Sequence, residues 1–212
     1  MFDSGISVQS LVDELKTEVD IALPIPDATY VSWLNSLQQM LYTEIIKEQK
    51  KITLNPSEDG VIDIPDNYIG EGENRPCFED VHAIYADKTQ LIESTVASGV
   101  IFPDTYYKDN NKIVYHTETK PNALDIVYFV KPALVKVDEN DNIIEVDENG
   151  NEISVNVMVP VEFIDLVKAK LRGEAYKLAN EGDYAAMWLN DYNILLETFK
   201  NWHAAKAPKF GL

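Results

Sequence analysis

PVEFIDLVKAKLRGEAYKLANEGDYAAMWLNDYNILLETFKNWH, residues 160–203, is the stretch that most constrains the fold. Its apolar residues recur at three- and four-residue spacing on both sides of a break at residues 180–183, and this spacing predicts amphipathic helices. Pro160 suits the first position of a helix, where no backbone N–H is needed. Because the break is short, the two helices are predicted to form an antiparallel hairpin.

The N-terminal segment predicts two more helices. Ser7 suits the N-cap of the first, and the proline-containing segment 23–26 ends it, since proline lacks the N–H that a helix interior requires. A second, longer helix is expected to begin with a cap at Asp27 or Thr29. We expect these helices to pack with the C-terminal hairpin in one antiparallel bundle.

Between the helical segments the apolar pattern changes to the alternation of strands. Residues 124–130 give the strongest strand signal, because they are rich in β-branched and aromatic side chains. Shorter runs between turn-rich segments lie at residues 52–54, 61–65, 81–85 and 112–116. These strands predict a small antiparallel sheet or sandwich.

Acidic and asparagine-rich turns alternate with short apolar runs near residue 150. Asn149 and Gly150 lie between two such runs, and Asn-Gly in that position is a strong hairpin signal. The predicted fold class is therefore α+β: an antiparallel helical bundle formed by the N- and C-terminal helices, with a β-rich central insertion and a protruding acidic β-hairpin.

The same patterns predict how the chain is divided. Residues 1–50 and 159–203 form the predicted helical bundle, and residues 51–135 form the β-rich insertion. Residues 136–158 form the predicted acidic hairpin, and residues 204–212 form a C-terminal docking tail. The tail is too short and too interrupted by proline to fold alone. It is expected either to fray or to order when it docks on a partner.

Composition indicates a globular protein that avoids nucleic acid. The chain has 212 residues, of which 45% are hydrophobic, and a formal net charge of −18. This charge repels DNA phosphates at long range, so tight nucleic-acid binding is not expected. Simple solubility explains the charge, and so does a repulsive wall past which DNA slides. We also expect no membrane span and no signal peptide, because long apolar runs and a basic start are lacking.

No constellation of reactive residues is apparent in the sequence. The single cysteine, Cys77, has no recognisable partner base, and His82, His116 and His203 lie far apart. No glycine-rich phosphate loop or nucleophile elbow occurs. We therefore predict no enzymatic activity and no cofactor, with an acid-based hydrolase as a minor alternative.

One segment has the beginning of a calcium-binding loop. Asp138, Asn140 and Asn142 occupy the first three ligand positions of an EF-hand. However, Ile143 stands where glycine is needed and Asn149 where a bidentate glutamate is needed. We therefore interpret the segment as a solvated turn and predict no metal site.

The last predicted helix carries a heavy aromatic stripe, at the spacing of a buried helix face. Its members are Tyr184, Trp188, Tyr192, Phe199 and Trp202. They exceed what one partner helix usually covers, and tyrosine and tryptophan are enriched in interfaces. Tyr184, Trp188 and Tyr192 are therefore predicted to contact a neighbouring subunit.

The order of these segments resembles a known family of virion proteins. The similarity rests on soft apolar and aromatic patterns at residues 30–35, 52–54 with 60–68, 160–163, 170–176 and 183–192. The chain resembles the head-to-tail adaptor proteins of tailed bacteriophages, also called connector or head-completion proteins, including the larger tail-tubular type of short-tailed phages. The acidic hairpin departs from the common pattern.

The resemblance implies a structural protein of the virion neck, present in the host cytoplasm during assembly. It implies a ring of about twelve copies between portal and tail. Its partners would be the portal protein, neighbouring adaptor copies, tail or nozzle proteins, and double-stranded DNA that passes without specific binding during genome packaging. The portal-docking residues that it implies are Phe199, Trp202, Lys206, Lys209, Phe210 and Leu212. A different tail, baseplate or accessory binding module of a phage particle is the alternative.

Overall fold

The computed structural model describes residues 3–22, 24–47, 49–63, 81–94, 102–109, 112–129, 132, 134–144 and 155–206. The chain forms two compact units, residues 1–46 with 134–212 and residues 47–133. The described α-helices belong to the first unit, and the described strands belong to the second. The predicted α+β class is therefore confirmed.

The helical unit contains four α-helices among the described residues. Ser7 caps the first, because its hydroxyl accepts the backbone N–H of Ser10 at 3.1 Å, as predicted. Pro26 precedes the second helix, and the end of that helix continues directly as a π-helix. The elements are α1 (Val8–Glu18), α2 (Asp27–Met40), the π-helix (Leu41–Ile46), a 3-10 turn (Val161–Phe163), α3 (Ile164–Leu178) and α4 (Gly182–Lys206).

The core of this unit is built from the predicted apolar stripes. On α1, Leu11 and Leu15 are fully buried, as is Leu34 on α2 and Leu171 on α3. Each such side chain contributes about 1.5–3 kcal/mol through the removal of apolar surface from water. The α1, α2 and α3 stripes share one cluster with residues of α4 between Trp188 and Trp202.

The second unit contains two four-stranded sheets. Their orders are β1-β8-β3-β4 and β2-β7-β6-β5, with antiparallel pairing throughout except between β5 and β6. The strands are β1 (Gln49–Leu54), β2 (Val61–Asp63), β3 (Val81–Ala86), β4 (Thr89–Gln90), β5 (Ile92–Glu93), β6 (Thr105–Asp109), β7 (Lys112–His116) and β8 (Leu124–Phe129).

The strand with the strongest sequence signal, β8, lies in the middle of its sheet between β1 and β3. Alternate residues of β8, including Leu124 and Ile126, are buried. They share a core with Ile84 of β3 and with Ile113 of β7, which belongs to the other sheet. The two sheets therefore face one another across a common apolar layer, as in a sandwich.

The region of the predicted acidic hairpin is described only at its two ends. Near the first end, Val137 and Ile143 form an isolated antiparallel bridge. At the other end, the backbone of Val155 and Val157 bonds to residues 4–8 at 2.8–3.1 Å. Ile143 and Val157 are buried in the core of the helical unit. The predicted Asn-Gly turn lies outside the described residues.

Candidate interaction surface on the last helix

Helix α4 lies close against α3 at one glycine. A Cβ atom placed on Gly173 would lie 2.7 Å from both Cγ and Cδ2 of Leu189, and 3.4 Å from the Leu189 backbone nitrogen. The absence of a side chain on Gly173 therefore lets the two helices approach closely. This contact fixes which side of α4 faces α3 and which side faces away.

The C-terminal half of α4 is anchored by aromatic packing. The ring of Phe163 lies edge-on to Phe199 and to Trp202, with centroids 4.9 and 5.1 Å apart. Phe199 is 0% exposed, so the structure gives it a core position. Its predicted role as a direct portal contact stays a prediction, and within the single chain its ring is covered, while Trp202 keeps a partly exposed ring.

Tyr192 also belongs to the core rather than to the surface. Its side chain is buried, and the Lys170 ammonium lies 5.2 Å from the ring centroid. Burial, and then the nearby Glu44 carboxylate, raise the pKa of Tyr192 above its ordinary value. The predicted subunit contact at Tyr192 stays a prediction, and within the single chain its neighbours already cover the side chain.

The other two predicted subunit contacts remain at the surface. Tyr184 is 56% exposed and stacks on Tyr176, with ring centroids 5.3 Å apart. Trp188 is half-buried, and the Arg172 guanidinium lies 4.6 Å from its ring centroid. Arg172 also pairs with Glu18 of α1, so this cation is held from two sides.

Two exposed apolar residues of α4 were not singled out in the sequence. Met187 is 48% exposed and Ile194 is 59% exposed, although both are large apolar side chains. With Tyr184, Asp191 and Thr198 they follow a three- and four-residue spacing along one side of the helix. We call these five residues the α4 stripe. The heptad spacing was present in the sequence, but the aromatic residues beside it gave the stronger signal.

The α4 stripe is important because its exposed apolar side chains lie together on one face of the helix. Single exposed apolar side chains are normal in soluble proteins, whereas several on one continuous face mark an interaction surface. Tyr184, Met187 and Ile194 lie within eleven residues of one helix. The partly exposed Trp188 and Trp202 border them. This face can bind an apolar surface without any change in the core.

The predicted docking tail is described only at its start. Lys206, the last residue of α4, is exposed, and its ammonium lies 3.9 Å from the centroid of the Trp202 ring. Lys209, Phe210 and Leu212 lie outside the described residues. The described part of the predicted portal-docking set therefore comprises a core residue, Phe199, and a surface pair, Trp202 and Lys206.

The calcium-like segment forms a turn that uses its own carboxylates. Asp138 accepts the backbone N–H groups of Asn140 and Asn142, each at 2.8 Å. Hydrogen bonds, first those from Asn142, hold the pKa of Asp138 below its usual value. Within the described ranges, no three His, Cys, Asp or Glu side chains are grouped so that they could hold a metal ion.

An open pocket of about 450 Å³ lies between α2 and the extended segment 134–137. Asn35 lines it and fixes that segment, since its amide both donates to and accepts from the backbone of Val135 at 2.9 Å. Ser32, Ser36 and Gln39 also line it. Among the described residues of the lining, Lys136 is the one with a titratable side chain.

The histidines of the β unit take part in ring contacts. His82 lies edge-on to Phe129 with centroids 5.2 Å apart, and His116 lies beside Tyr107 at 6.2 Å. Cys77 lies outside the described residues. No pairing of Cys77 with His82 is therefore described.

Two further findings bear on the class of protein. Among the described helices, none combines the length and apolar character needed to cross a membrane. No protein-family model matches the chain, and no curated protein matches it.

Proposed function

We propose that this chain is a structural virion protein, a head-to-tail adaptor that forms a ring of about twelve copies between portal and tail. The observation that carries this proposal is the α4 stripe, in which Tyr184, Met187 and Ile194 are exposed apolar side chains on a helix whose opposite side is firmly packed. The resemblance of the segment order to the adaptor family supplies the identity of the partners. The adaptor would lie in the virion neck and assemble in the host cytoplasm.

In the ring, the α4 stripe covers a neighbouring copy. Tyr184, Met187 and Ile194 provide the apolar contact, and burying the exposed half of each side chain contributes about 1 kcal/mol. Trp188 borders the contact, and the Arg172 guanidinium lies over the Trp188 ring, 4.6 Å from its centroid. These contacts are heterologous, so they close into a ring if the rotation between copies is right.

The acidic charge suits the channel of such a ring. Each copy carries a formal net charge of −18, and like charges on the wall repel DNA phosphates. DNA would therefore pass without specific binding. Neighbouring copies also repel one another, so the portal serves as a template that holds the ring together. No catalytic step or cofactor enters this role.

Docking on the portal is assigned to the end of α4 and the residues after it. Trp202 and Lys206 present a ring and a cation at the surface, and Lys209, Phe210 and Leu212 follow in the sequence. Phe199 supports this end from the core through its contact with Trp202. Docking would join an aromatic anchor to basic side chains that an acidic partner surface attracts.

The test begins with the genome and continues with purified protein. The reading frame should lie just downstream of the portal and major capsid genes, and its position elsewhere would count against the proposal. The portal protein from that genome is then mixed with the full chain, and the mass of the product is measured. We expect a portal carrying a ring of the chain.

Two variants locate the contacts. Ile194→Asp should prevent ring formation on the portal, whereas Asn193→Asp, which adds the same charge on another exposed face, should not. Removal of residues 207–212 should abolish portal docking while the circular dichroism spectrum stays unchanged. If docking survives that truncation, the docking assignment is wrong. If the chain binds other tail proteins but never the portal, it is instead a different tail or baseplate module.

A further inference from the structure

The exposed face of α4 has an approximate symmetry about its own midpoint. Met187 and Thr198 lie equally far from the point between residues 192 and 193, as do Asp191 and Ile194. Tyr184 lies as far on one side of this point as residue 201 lies on the other, and Trp202 follows directly. At 1.5 Å per residue, the stretch from 184 to 201 is about 26 Å long.

The charges at the two ends of α4 are opposite. Glu181 and Asp183 lie at its N-terminal end, and Lys206 lies at its C-terminal end, all with exposed side chains. If two α4 helices cross in antiparallel orientation about the midpoint, the acidic end of each lies beside the Lys206 end of the other. In parallel orientation, like charges would meet at both ends instead.

We propose that the free chain forms a two-fold dimer in which the α4 stripes of two copies pair in antiparallel orientation. The occupant of the stripe is then a second copy of this chain, favoured by the opposite charges at the two ends of α4. A two-fold contact of this kind places the same patch on both partners. The inference concerns the free chain and does not depend on the adaptor role.

In this dimer Ile194 packs near Asp191 of the partner copy, close to the two-fold axis. Met187 faces the partner's Thr198, and Tyr184 lies over the partner's Trp202. Met187, Tyr184 and Ile194 are each about half exposed or more in the single chain. Pairing therefore removes the three largest exposed apolar side chains of α4 from water, on both copies at once.

The first experiment measures the mass of the full chain by sedimentation equilibrium, without portal protein, over a wide range of concentrations. We expect a monomer–dimer equilibrium. Ile194→Asp should weaken dimerisation by at least about tenfold, because it removes the apolar side chain near the axis from both copies and places a carboxylate opposite the partner's Asp191. Asn193→Asp should leave the dimer constant within about twofold. A chain that is monomeric at all concentrations would overturn the inference.

Cross-linking tests the orientation. In a Cys77→Ser background, Met187→Cys and Thr198→Cys chains are prepared separately, mixed, and treated with a short bismaleimide. Antiparallel pairing predicts that the mixed 187–198 product dominates. Dominant 187–187 and 198–198 products would indicate parallel pairing and would contradict the inference.

Exchanging the charges of Asp183 and Lys206 tests whether opposite ends of the two α4 helices meet in the dimer. Asp183→Lys alone and Lys206→Glu alone should each weaken the dimer by about threefold, since exposed ion pairs have modest energies. The double variant should recover the original dimer constant. If the double variant is weaker than both single variants, the two ends do not meet. Circular dichroism checks that α4 stays helical in every variant.

Discussion

The carboxylate of Asp141 accepts the backbone N–H of Ala28 at 2.7 Å, from a loop more than a hundred residues further along the chain. Its other oxygen accepts the N–H of Asp27 at 2.7 Å. The residue that precedes α2 is Pro26, which makes no side-chain cap. Asp141 therefore supplies from a distance the acceptor that a helix N-terminus needs, and its positive φ of 67° is part of the turn that places it there.

Removing this cap should destabilise the helical unit. Asp141→Ala leaves two N–H groups of α2 without their acceptor, so we expect the free energy of unfolding to fall by about 1–2 kcal/mol. The measurement is urea unfolding followed by circular dichroism. Glu139→Ala removes the same charge from an exposed site in the same loop, and it should change stability by less than about 0.5 kcal/mol. Equal effects of the two variants would show that Asp141 does not act as a cap.

Two glycines of the helical hairpin should respond in opposite ways to alanine. At Gly173 the new methyl group meets the Leu189 side chain at 2.7 Å, and such overpacking costs about 1–3 kcal/mol. This cost exceeds the gain in helix propensity of about 1 kcal/mol at most, so Gly173→Ala should be destabilising. At Gly182 nothing lies within 4 Å, so Gly182→Ala should be neutral or slightly stabilising. Thermal unfolding of both variants checks the difference in sign.

Asn35 should be important for the segment that borders the open pocket. Its side chain makes two hydrogen bonds of 2.9 Å with the backbone of Val135, and alanine would leave both backbone groups without these partners. We expect a loss of about 1–3 kcal/mol. Ser36→Ala is the control, because the Ser36 hydroxyl bonds only within its own helix, to the Ser32 carbonyl at 2.9 Å. A comparable loss for Ser36→Ala would contradict the assigned role.

Acid should destabilise the β unit through two aspartates. Asp87 accepts backbone N–H groups of Asn122 and Ala123, and Asp125 accepts the Thr53 hydroxyl and pairs with Lys51. These bonds lower the pKa of both carboxyls.

A carboxyl whose pKa is lowered in the folded state stabilises the fold at neutral pH and loses this effect in acid. The stability contributed by such a group is fully present above the ordinary aspartate pKa of about 4 and is lost as the pH falls through the lowered value. Asp87→Asn should therefore reduce stability at neutral pH and flatten its decline in acid. Unfolding curves between neutral and strongly acidic pH measure this. Glu118→Gln, at an exposed acid of the same unit, is the control and should leave the decline of stability in acid unchanged. If Asp87→Asn shows the same decline in acid as the original chain, the stabilising role assigned to Asp87 is wrong.

Salt should favour the ring on the portal. Copies that each carry a formal net charge of −18 repel one another, and this repulsion is screened when the ionic strength rises from about 0.05 M to about 0.5 M. We therefore expect more complete rings at the higher salt concentration, counted by mass measurement. Assembly that weakens steadily with salt would mean that attraction between charges, and not apolar contact, holds the ring.

The sequence predicted well those elements whose apolar period is long. The stripes of α1 and α2, the α3–α4 hairpin and the strand β8 were all recognisable, because burial of a continuous face imposes a regular spacing. The short strands β4 and β5 were not predicted, since two residues carry no period. The β3–β4 turn uses Asp87 and Lys88, both with positive φ, and lacks the glycine that usually reveals such a turn.

Residue types alone could not separate core from surface on α4. Phe199 and Tyr192 resemble interface residues in the sequence, but the ring of Phe163 and the nearby α3 cover them. The sequence did not predict a contact at Ile194, although it is the most exposed large apolar residue of α4. Which side of a helix is covered depends on neighbours such as Gly173, whose small size sets the approach of α3. The cap by Asp141 was equally hidden, because it joins residues distant in the sequence.

The adaptor role is tested most directly by electron micrographs of the full chain mixed with the portal protein from its own genome. The account predicts axial class averages in which a ring of about twelve additional subunits lies on the portal, and its loss in Ile194→Asp. Portals that stay bare at every ratio of the two proteins, while the chain remains folded, would contradict the account.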